Sequence, residues 1–186
     1  LVQTIENTPA FVHTGPFGNI AHGTSSVIAT KLALKLADYV ITEAGFGSDL
    51  GAEKFFNIVS RVGDFRPSVV VLVATIRALK LHGGGDTDAP DREDVEAVAK
   101  GLDNLRFHVE NMRSFGAPVV VAINQFPSDT DAEIAVVRDY CESNGIDVAV
   151  SQGVARGGEG GLELAEKIIT ASESANPDVH FSYDQE

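Results

Sequence analysis

Short runs of Val, Ile, Leu and Ala alternate along this chain with stretches in which apolar residues recur every three or four positions. Short β-branched runs are typical of buried strands, and a period of three to four residues is typical of helices with one apolar face. The runs predict strands over 10–13, 39–42, 68–75, 119–124 and 147–151. The periodic stretches predict helices over 24–38, 49–59, 91–114, 131–143 and 161–174.

The order of these elements predicts an α/β fold. The strands are apolar throughout rather than alternating between polar and apolar positions, which is typical of a mostly parallel sheet with helices on both faces. The predicted helix over 91–114 is long enough to bridge two lobes. We therefore expect the chain to divide into two parts, 1–105 and 106–186.

Bulk composition excludes several classes of protein. With 44% hydrophobic and 22% charged residues the composition is that of a globular domain, and no apolar run approaches the length of about 20 residues that spans a bilayer. A net charge of −13 opposes binding to nucleic acid or to anionic membranes. The single cysteine, Cys141, excludes an intrachain disulfide and favours a reducing compartment such as the cytoplasm. Neither it nor the histidines show metal-ligand spacing, so no metal site is expected.

Two cations follow the strongest predicted strand, at the point where it should end. Arg77 and Lys80 are three residues apart, and His82 and two glycines come directly after them. In an open α/β sheet ligands bind beyond the carboxyl ends of the strands, and one helical turn can aim both cations at a single anion. The pattern equally fits the start of a helix with solvated cations and a glycine-rich exit, so both interpretations stay open.

Two phenylalanines are candidates for contact with a flat ligand. Phe126 comes just after the strand over 119–124 and is followed by Pro127, so its ring should be fixed and partly exposed; the alternative is that it caps the core. Phe46 lies between Gly45 and Gly47 and cannot bury itself against immediate side-chain neighbours, which favours a ligand-facing role.

The chain begins at Leu1, and its only methionine is Met112. We therefore expect it to be a segment of a longer protein. It contains no Gly-x-x-x-x-Gly-Lys-Ser/Thr phosphate-binding loop.

Long motifs distributed over almost the whole chain resemble, in order, those of formate–tetrahydrofolate ligase, also called formyltetrahydrofolate synthetase. They are ENTPAFVHTGPFGNIAHG (6–23), EAGFGSDLGAEKF (43–55), VATIRALKLHGG (73–84), VVVAINQFP (119–127) and GGEGG (157–161). The resemblance implies an internal to C-terminal segment of a larger, multi-lobed, P-loop NTPase-like enzyme whose phosphate-binding loop lies upstream. Residues 1–105 would belong to its nucleotide-binding domain, and 106–186 would form a second α/β lobe that contributes the folate pocket.

The resemblance also implies ligand contacts. Phe46, Phe126 and Pro127 match positions on the folate pocket. Val154 stands at about the position where the family usually carries a tryptophan that faces the pterin, and this chain contains no tryptophan.

On the nucleotide side, the resemblance places the loop that carries Gly18 and Asn19 beside the nucleotide base. The principal catalytic groups are expected upstream of this chain.

The reaction that the resemblance implies joins formate to tetrahydrofolate at the expense of ATP and passes through formyl phosphate to give 10-formyltetrahydrofolate. Mg²⁺ would enter with the ATP phosphates. The family assembles as a homotetramer, and we expect the isolated segment to be inactive as a ligase. Two other hypotheses are a folate- or nucleotide-binding module without catalysis, and a fragment kept only for packing.

Overall fold

The computed structural model describes residues 1–12, 22, 24–174 and 177–184, which fall into two units. The first unit comprises 1–67 and 179–186, and the second comprises 68–178. Residues 105 and 106 lie within one helix of the second unit. The division into 1–105 and 106–186 refers to lobes of a larger protein and stays a prediction.

The first unit begins with a small antiparallel pair of strands. Strand β1 (Val2–Gln3) pairs with β2 (Pro9–Ala10). Of the strand predicted over 10–13, residue 10 lies in β2, residues 11 and 12 lie in no strand, and residue 13 is outside the described residues. Helix α1 (Val27–Ala33) begins where the Ser26 side chain accepts a hydrogen bond of 3.1 Å from the backbone N–H of Ala29. The predicted helix over 24–38 is therefore confirmed in its centre and shorter at both ends.

The predicted strand over 39–42 is wrong, because these residues form no strand pairing in the described part of the chain. The helix predicted over 49–59 is present as π-helical turns at Ser48–Ala52 and Phe55–Ser60, followed by α2 (Arg61–Gly63).

The C-terminal segment of the first unit returns to this helical region. The backbone N–H of Ser182 donates to Asn57 Oδ1 over 2.9 Å, and Arg61 Nη2 donates to the Tyr183 carbonyl over 2.6 Å. The Arg61 guanidinium also lies 3.9 Å from the centre of the Phe181 ring.

The second unit is built on three parallel strands in the order β3 (Val70–Ala74), β4 (Val119–Asn124) and β5 (Asp147–Ser151). The predictions over 119–124 and 147–151 are confirmed with those bounds, and the prediction over 68–75 is confirmed at its centre. Residues 119–123 are buried, since the central strand is covered on both faces. Strand β3 is less protected, because Val71 and Val73 are exposed.

In its described residues the second unit also contains five α-helices and a 3₁₀ helix (Gly157–Gly161). The α-helices are α3 (Ile76–His82), α4 (Val95–Arg113), α5 (Asp131–Ser143), α6 (Gly153–Arg156) and α7 (Leu162–Ser174), and the sheet packs against the three long ones, α4, α5 and α7. These elements confirm the α/β class. Within the described ranges, none of the helices is both long enough and apolar enough to cross a membrane.

Two glycines let α3 and α4 approach each other closely. A Cβ atom at Gly83 would overlap the carbonyl oxygen of Ala97, and one at Gly101 would overlap that of Leu79. The N-terminus of α4 is fixed by Asp94, whose Oδ1 accepts from the Ala97 N–H over 2.9 Å. This cap explains why the helix predicted over 91–114 begins at residue 95.

Candidate functional site

The carboxyl ends of the three parallel strands lie side by side. Asn124, the last residue of β4, is in register with Ser151, the last residue of β5. The residue after β4 is also bonded to the end of β5, since the Gln125 N–H donates to the Ser151 carbonyl over 3.0 Å. The Gln152 Nε2 donates to Gln125 Oε1, also over 3.0 Å. The segments that follow β4 and β5 are therefore anchored to each other.

Phe126 lies on a tight turn immediately after this anchor. Its N–H donates to Asp129 Oδ2 over 2.8 Å, and its carbonyl accepts from the Asp129 N–H over 3.0 Å. The side chain is 39% exposed, and Pro127 beside it is exposed too. Phe126 therefore does not cap the buried core, and its contact with a ligand stays a prediction.

Val154 lies on α6, directly after β5, and is 56% exposed. The glycine run behind it packs against Gln152, whose N–H donates to the Gly160 carbonyl over 2.9 Å. A Cβ atom at Gly160 would lie 2.5 Å from the carbonyl carbon of Gln152. The run therefore allows a close backbone contact that holds the segment carrying Val154 at the carboxyl edge.

The two predicted anion ligands differ in their surroundings. Arg77 is exposed, whereas the Lys80 side chain is only 7% exposed and lies 3.0 Å from Glu133 Oε1. Lys80 Nζ also donates to the Arg92 carbonyl over 3.0 Å. Both cations border a cleft of about 240 Å³, but the charge of Lys80 is already neutralised within the protein. An anion at this cleft would have to rely on Arg77 and Arg92.

Glu133 is a buried residue that sequence reasoning missed. Its Oε1 also accepts from the Asp94 N–H over 2.9 Å, and its Oε2 accepts from the N–H and Oγ1 of Thr130 over 3.1 and 3.3 Å. Burial by itself would raise the pKa of Glu133, but the N–H groups of Asp94 and Thr130 and the Lys80 ammonium together lower it. The Thr130-x-x-Glu133 spacing of a capping box was the signal that could have found it.

Comparison with known proteins identifies the family. The sequence profile described as formate–tetrahydrofolate ligase matches residues 1–186. This chain belongs to the formate–tetrahydrofolate ligase family.

Two curated relatives carry the same name. The chain is 59% identical to the formate–tetrahydrofolate ligase of Petrotoga mobilis over 173 residues, which is 93% of this chain and 31% of the relative. It is 57% identical to that of Kosmotoga olearia over 183 residues, which is 98% of this chain and 33% of the relative. The chain thus spans about a third of the length of the formate–tetrahydrofolate ligases it matches.

Phe46, the folate contact predicted in the first unit, has an unusual backbone conformation. Its φ angle of 63° lies in the left-handed region, which is rare for a bulky residue, and its side chain is 69% exposed. Strained residues of this kind concentrate at ligand sites. The conformation supports the prediction that Phe46 faces a ligand.

The predicted nucleotide contacts of this ligase segment, Gly18 and Asn19, lie outside the described residues. Within the described residues, no group of three or more His, Cys, Asp or Glu side chains is placed to hold a metal ion. Cys141 is buried in α5, and burial raises the pKa of its thiol to about 11. This supports the interpretation of Cys141 as a packing residue rather than a nucleophile.

A second cleft, of about 310 Å³, lies beside the carboxyl edge of the sheet. It borders the same two glutamines that anchor the turn of Phe126, and charged side chains of both signs complete its wall. They include Asp131, Arg138, Arg156, Glu159 and Glu163.

Proposed function

We propose that the complete protein is an ATP-dependent ligase that joins formate to tetrahydrofolate and yields 10-formyltetrahydrofolate through formyl phosphate. We propose further that the second unit of this chain contributes a wall of the folate pocket. The observation that carries the proposal is the exposed Phe126, held on a hydrogen-bonded turn at the carboxyl edge of a parallel sheet, in a chain of the formate–tetrahydrofolate ligase family.

The wall would orient the pterin ring rather than take part in bond making. The Phe126 ring offers a flat apolar face, on which a pterin can stack for about 0.5–1.5 kcal/mol beyond the burial of area. Pro127 and Val154 are exposed apolar neighbours of this edge and would exclude water from the ring. The wall would hold the folate nitrogen in line with an activated formyl group. Such positioning raises the effective molarity of the two reactants and therefore the rate of the reaction.

Phe46 is proposed as a separate folate contact in the first unit. Its exposure and its left-handed backbone support this role independently of Phe126.

ATP use is proposed for the complete protein, with Gly18 and Asn19 beside the base. Mg²⁺ is proposed to enter with the ATP phosphates, as this ion usually does. The P-loop NTPase-like fold, the multi-lobed organisation, the homotetramer and the cytoplasmic location are further proposals that rest on the family resemblance.

A binding module without catalysis is the second candidate for the chain by itself. The absence of Gly-x-x-x-x-Gly-Lys-Ser/Thr from its sequence favours this interpretation. We expect the 186 residues alone to form no 10-formyltetrahydrofolate from ATP, formate and tetrahydrofolate. Turnover by these residues alone would refute that expectation.

Calorimetric titration with tetrahydrofolate tests the folate site, using the complete protein and its Phe46→Ala and Phe126→Ala variants. The proposal requires each variant to weaken binding while ATP affinity is kept. If affinity for tetrahydrofolate is unchanged and only the free energy of unfolding falls, these rings serve packing and the proposed folate wall is wrong.

A further inference from the structure

Glu133 connects three helices to the turn that carries Phe126. Its carboxylate pairs with Lys80 on α3, accepts from the N–H of the residue that caps α4, and accepts from both the N–H and the hydroxyl of Thr130, which caps α5. In return, Thr130 Oγ1 accepts from the Glu133 N–H over 3.3 Å. The start of α5 is therefore fixed from both sides.

Thr130 is bonded in the chain to Asp129, the residue that closes the Phe126 turn. Asp129 receives the Phe126 N–H on its side chain and returns its own N–H to the Phe126 carbonyl. A displacement of Thr130 would consequently move Asp129 and, through two hydrogen bonds, the backbone of Phe126. The turn has two anchors: Gln125 is fixed by the sheet at one end, and Thr130 is fixed by Glu133 at the other.

We propose that the buried Lys80–Glu133 ion pair, acting through the Thr130 cap, is a positioning device that holds the Phe126 ring in place for the folate substrate. The inference rests on the proposed function, since it presumes that Phe126 contacts the folate. Glu133 is 0% exposed, and the ammonium group of Lys80 is already paired with it, so the proposed effect of the pair on folate binding passes through the turn.

The geometry favours positioning over a contribution to stability alone. A buried ion pair is often no more stabilising than apolar residues of the same volume, because both charges have lost their hydration. Such a pair does fix the orientation of the groups that it joins, because hydrogen bonds depend on geometry. The Glu133 carboxylate accepts from Lys80, Asp94 and Thr130, which lie on three separate segments, and apolar side chains could not do so.

The first test leaves the ion pair intact and weakens the link to the turn, because the hydroxyl of Thr130 is removed while its backbone N–H still donates to Glu133 Oε2. Thr130→Ala deletes the capping hydroxyl, and Thr130→Ser retains it. Ser26→Ala is the matched control, because it removes the same kind of cap from α1 in the first unit. In the complete protein, we expect Thr130→Ala to raise the Kd for tetrahydrofolate about fivefold, with the Kd for ATP unchanged. Thr130→Ser should restore the parent value, and Ser26→Ala should leave it unchanged.

A double-mutant cycle supplies a readout that a purely structural role would not move. If the pair acts through Phe126, Glu133→Gln raises the Kd for tetrahydrofolate in the parent protein but has no further effect in a Phe126→Ala background. An equal effect in both backgrounds, or an equal loss of ATP binding, would overturn the inference. Thr130→Ala takes the place of Glu133→Gln in the cycle if the latter does not fold.

The two proposals fail in different ways. If Phe126→Ala alone leaves the Kd for tetrahydrofolate unchanged, the proposed folate wall is wrong. If Phe126→Ala weakens binding but Thr130→Ala and Glu133→Gln do not, the folate wall stands and only the positioning role is wrong.

Discussion

The Gln152 side chain donates a hydrogen bond of 3.0 Å to the Gln125 side chain, and this bond joins the segments that follow two neighbouring parallel strands. Phe126 comes one residue after the first glutamine, and Val154 comes two residues after the second. Phe126 and Val154, two of the three folate contacts predicted in the second unit, are therefore carried by segments with a common anchor. Substitutions at these positions should act on one pocket.

Phe126→Ala is expected to weaken tetrahydrofolate binding to the complete protein about tenfold, because both stacking and apolar contact area are lost. Phe107→Ala is the control, since Phe107 is an exposed phenylalanine on α4. Isothermal titration of both variants checks the prediction. Equal affinities in the two variants would contradict it.

Val154→Trp is expected to strengthen tetrahydrofolate binding about tenfold, because an indole at this exposed position would supply a second stacking face for the pterin. Leu162→Trp is the control, since it adds the same indole at an exposed site on α7. The Kd for tetrahydrofolate is measured for both variants. An equal increase in affinity in the control would show that the effect is not specific to position 154.

Lys80→Met is expected to lower the free energy of unfolding by about 3–5 kcal/mol, because it leaves the Glu133 carboxylate buried without its cation. Lys100→Met is the control, since Lys100 forms an exposed ion pair with Glu96 on one helix face. Urea denaturation should show a large drop in the midpoint for the first variant and little change for the second. Similar midpoints would mean that the buried pair has little effect on stability.

Glu133→Gln and Asp129→Asn should change the pH dependence of the free energy of unfolding in opposite directions. The folded-state pKa of Glu133 lies below its ordinary 4.5, so its contribution to stability is present above that pH and is lost as the pH falls through the lower value. Burial raises the pKa of Asp129 above its ordinary 3.8, so its ionisation weakens the fold as the pH rises from there.

Unfolding free energies measured between about pH 3 and pH 6 check this contrast. The stability of the parent minus that of Glu133→Gln should increase with pH, and the parent minus Asp129→Asn should decrease. Two differences with slopes of the same sign would show that one of the assigned pKa directions is wrong.

Gly160→Ala is expected to destabilise the second unit by about 1–3 kcal/mol, because the added methyl group would meet the Gln152 backbone, which cannot rotate away. Gly161→Ala is the control, since nothing lies within 4 Å of a Cβ atom at that neighbouring position. Thermal unfolding of the two variants compares them directly. Loss of stability in both would point to helix propensity or backbone entropy instead of the close contact.

Local patterns predicted the elements of the second unit well. Strands β4 and β5 and helix α5 have the predicted bounds, because each is an apolar or periodic run ended by Pro, Asn or Gly. The segment 39–42 has a strand-like composition but no strand pairing in the described residues, and pairing depends on distant parts of a chain. Composition alone could not reveal that difference.

The candidate site was predictable only in part. The position of Phe126 after a predicted strand indicates the carboxyl edge, whereas Val154 is a candidate through the family resemblance alone; both residues are exposed. For Lys80 the sequence leaves two interpretations open, an anion ligand and a solvated cation, and neither includes the pairing with Glu133, which is far away in sequence. Charge and spacing within α3 contain no information about a partner on α5.

Strand β3 has a practical consequence for handling the chain. In the described residues β3 pairs with β4 alone, and its residue Val73 is 62% exposed. An edge strand of this kind can pair with a strand from a second copy of the chain. Concentrated solutions of the isolated 186 residues should therefore scatter light as copies assemble. The Val73→Lys variant should scatter less light, because a charge on the strand opposes assembly.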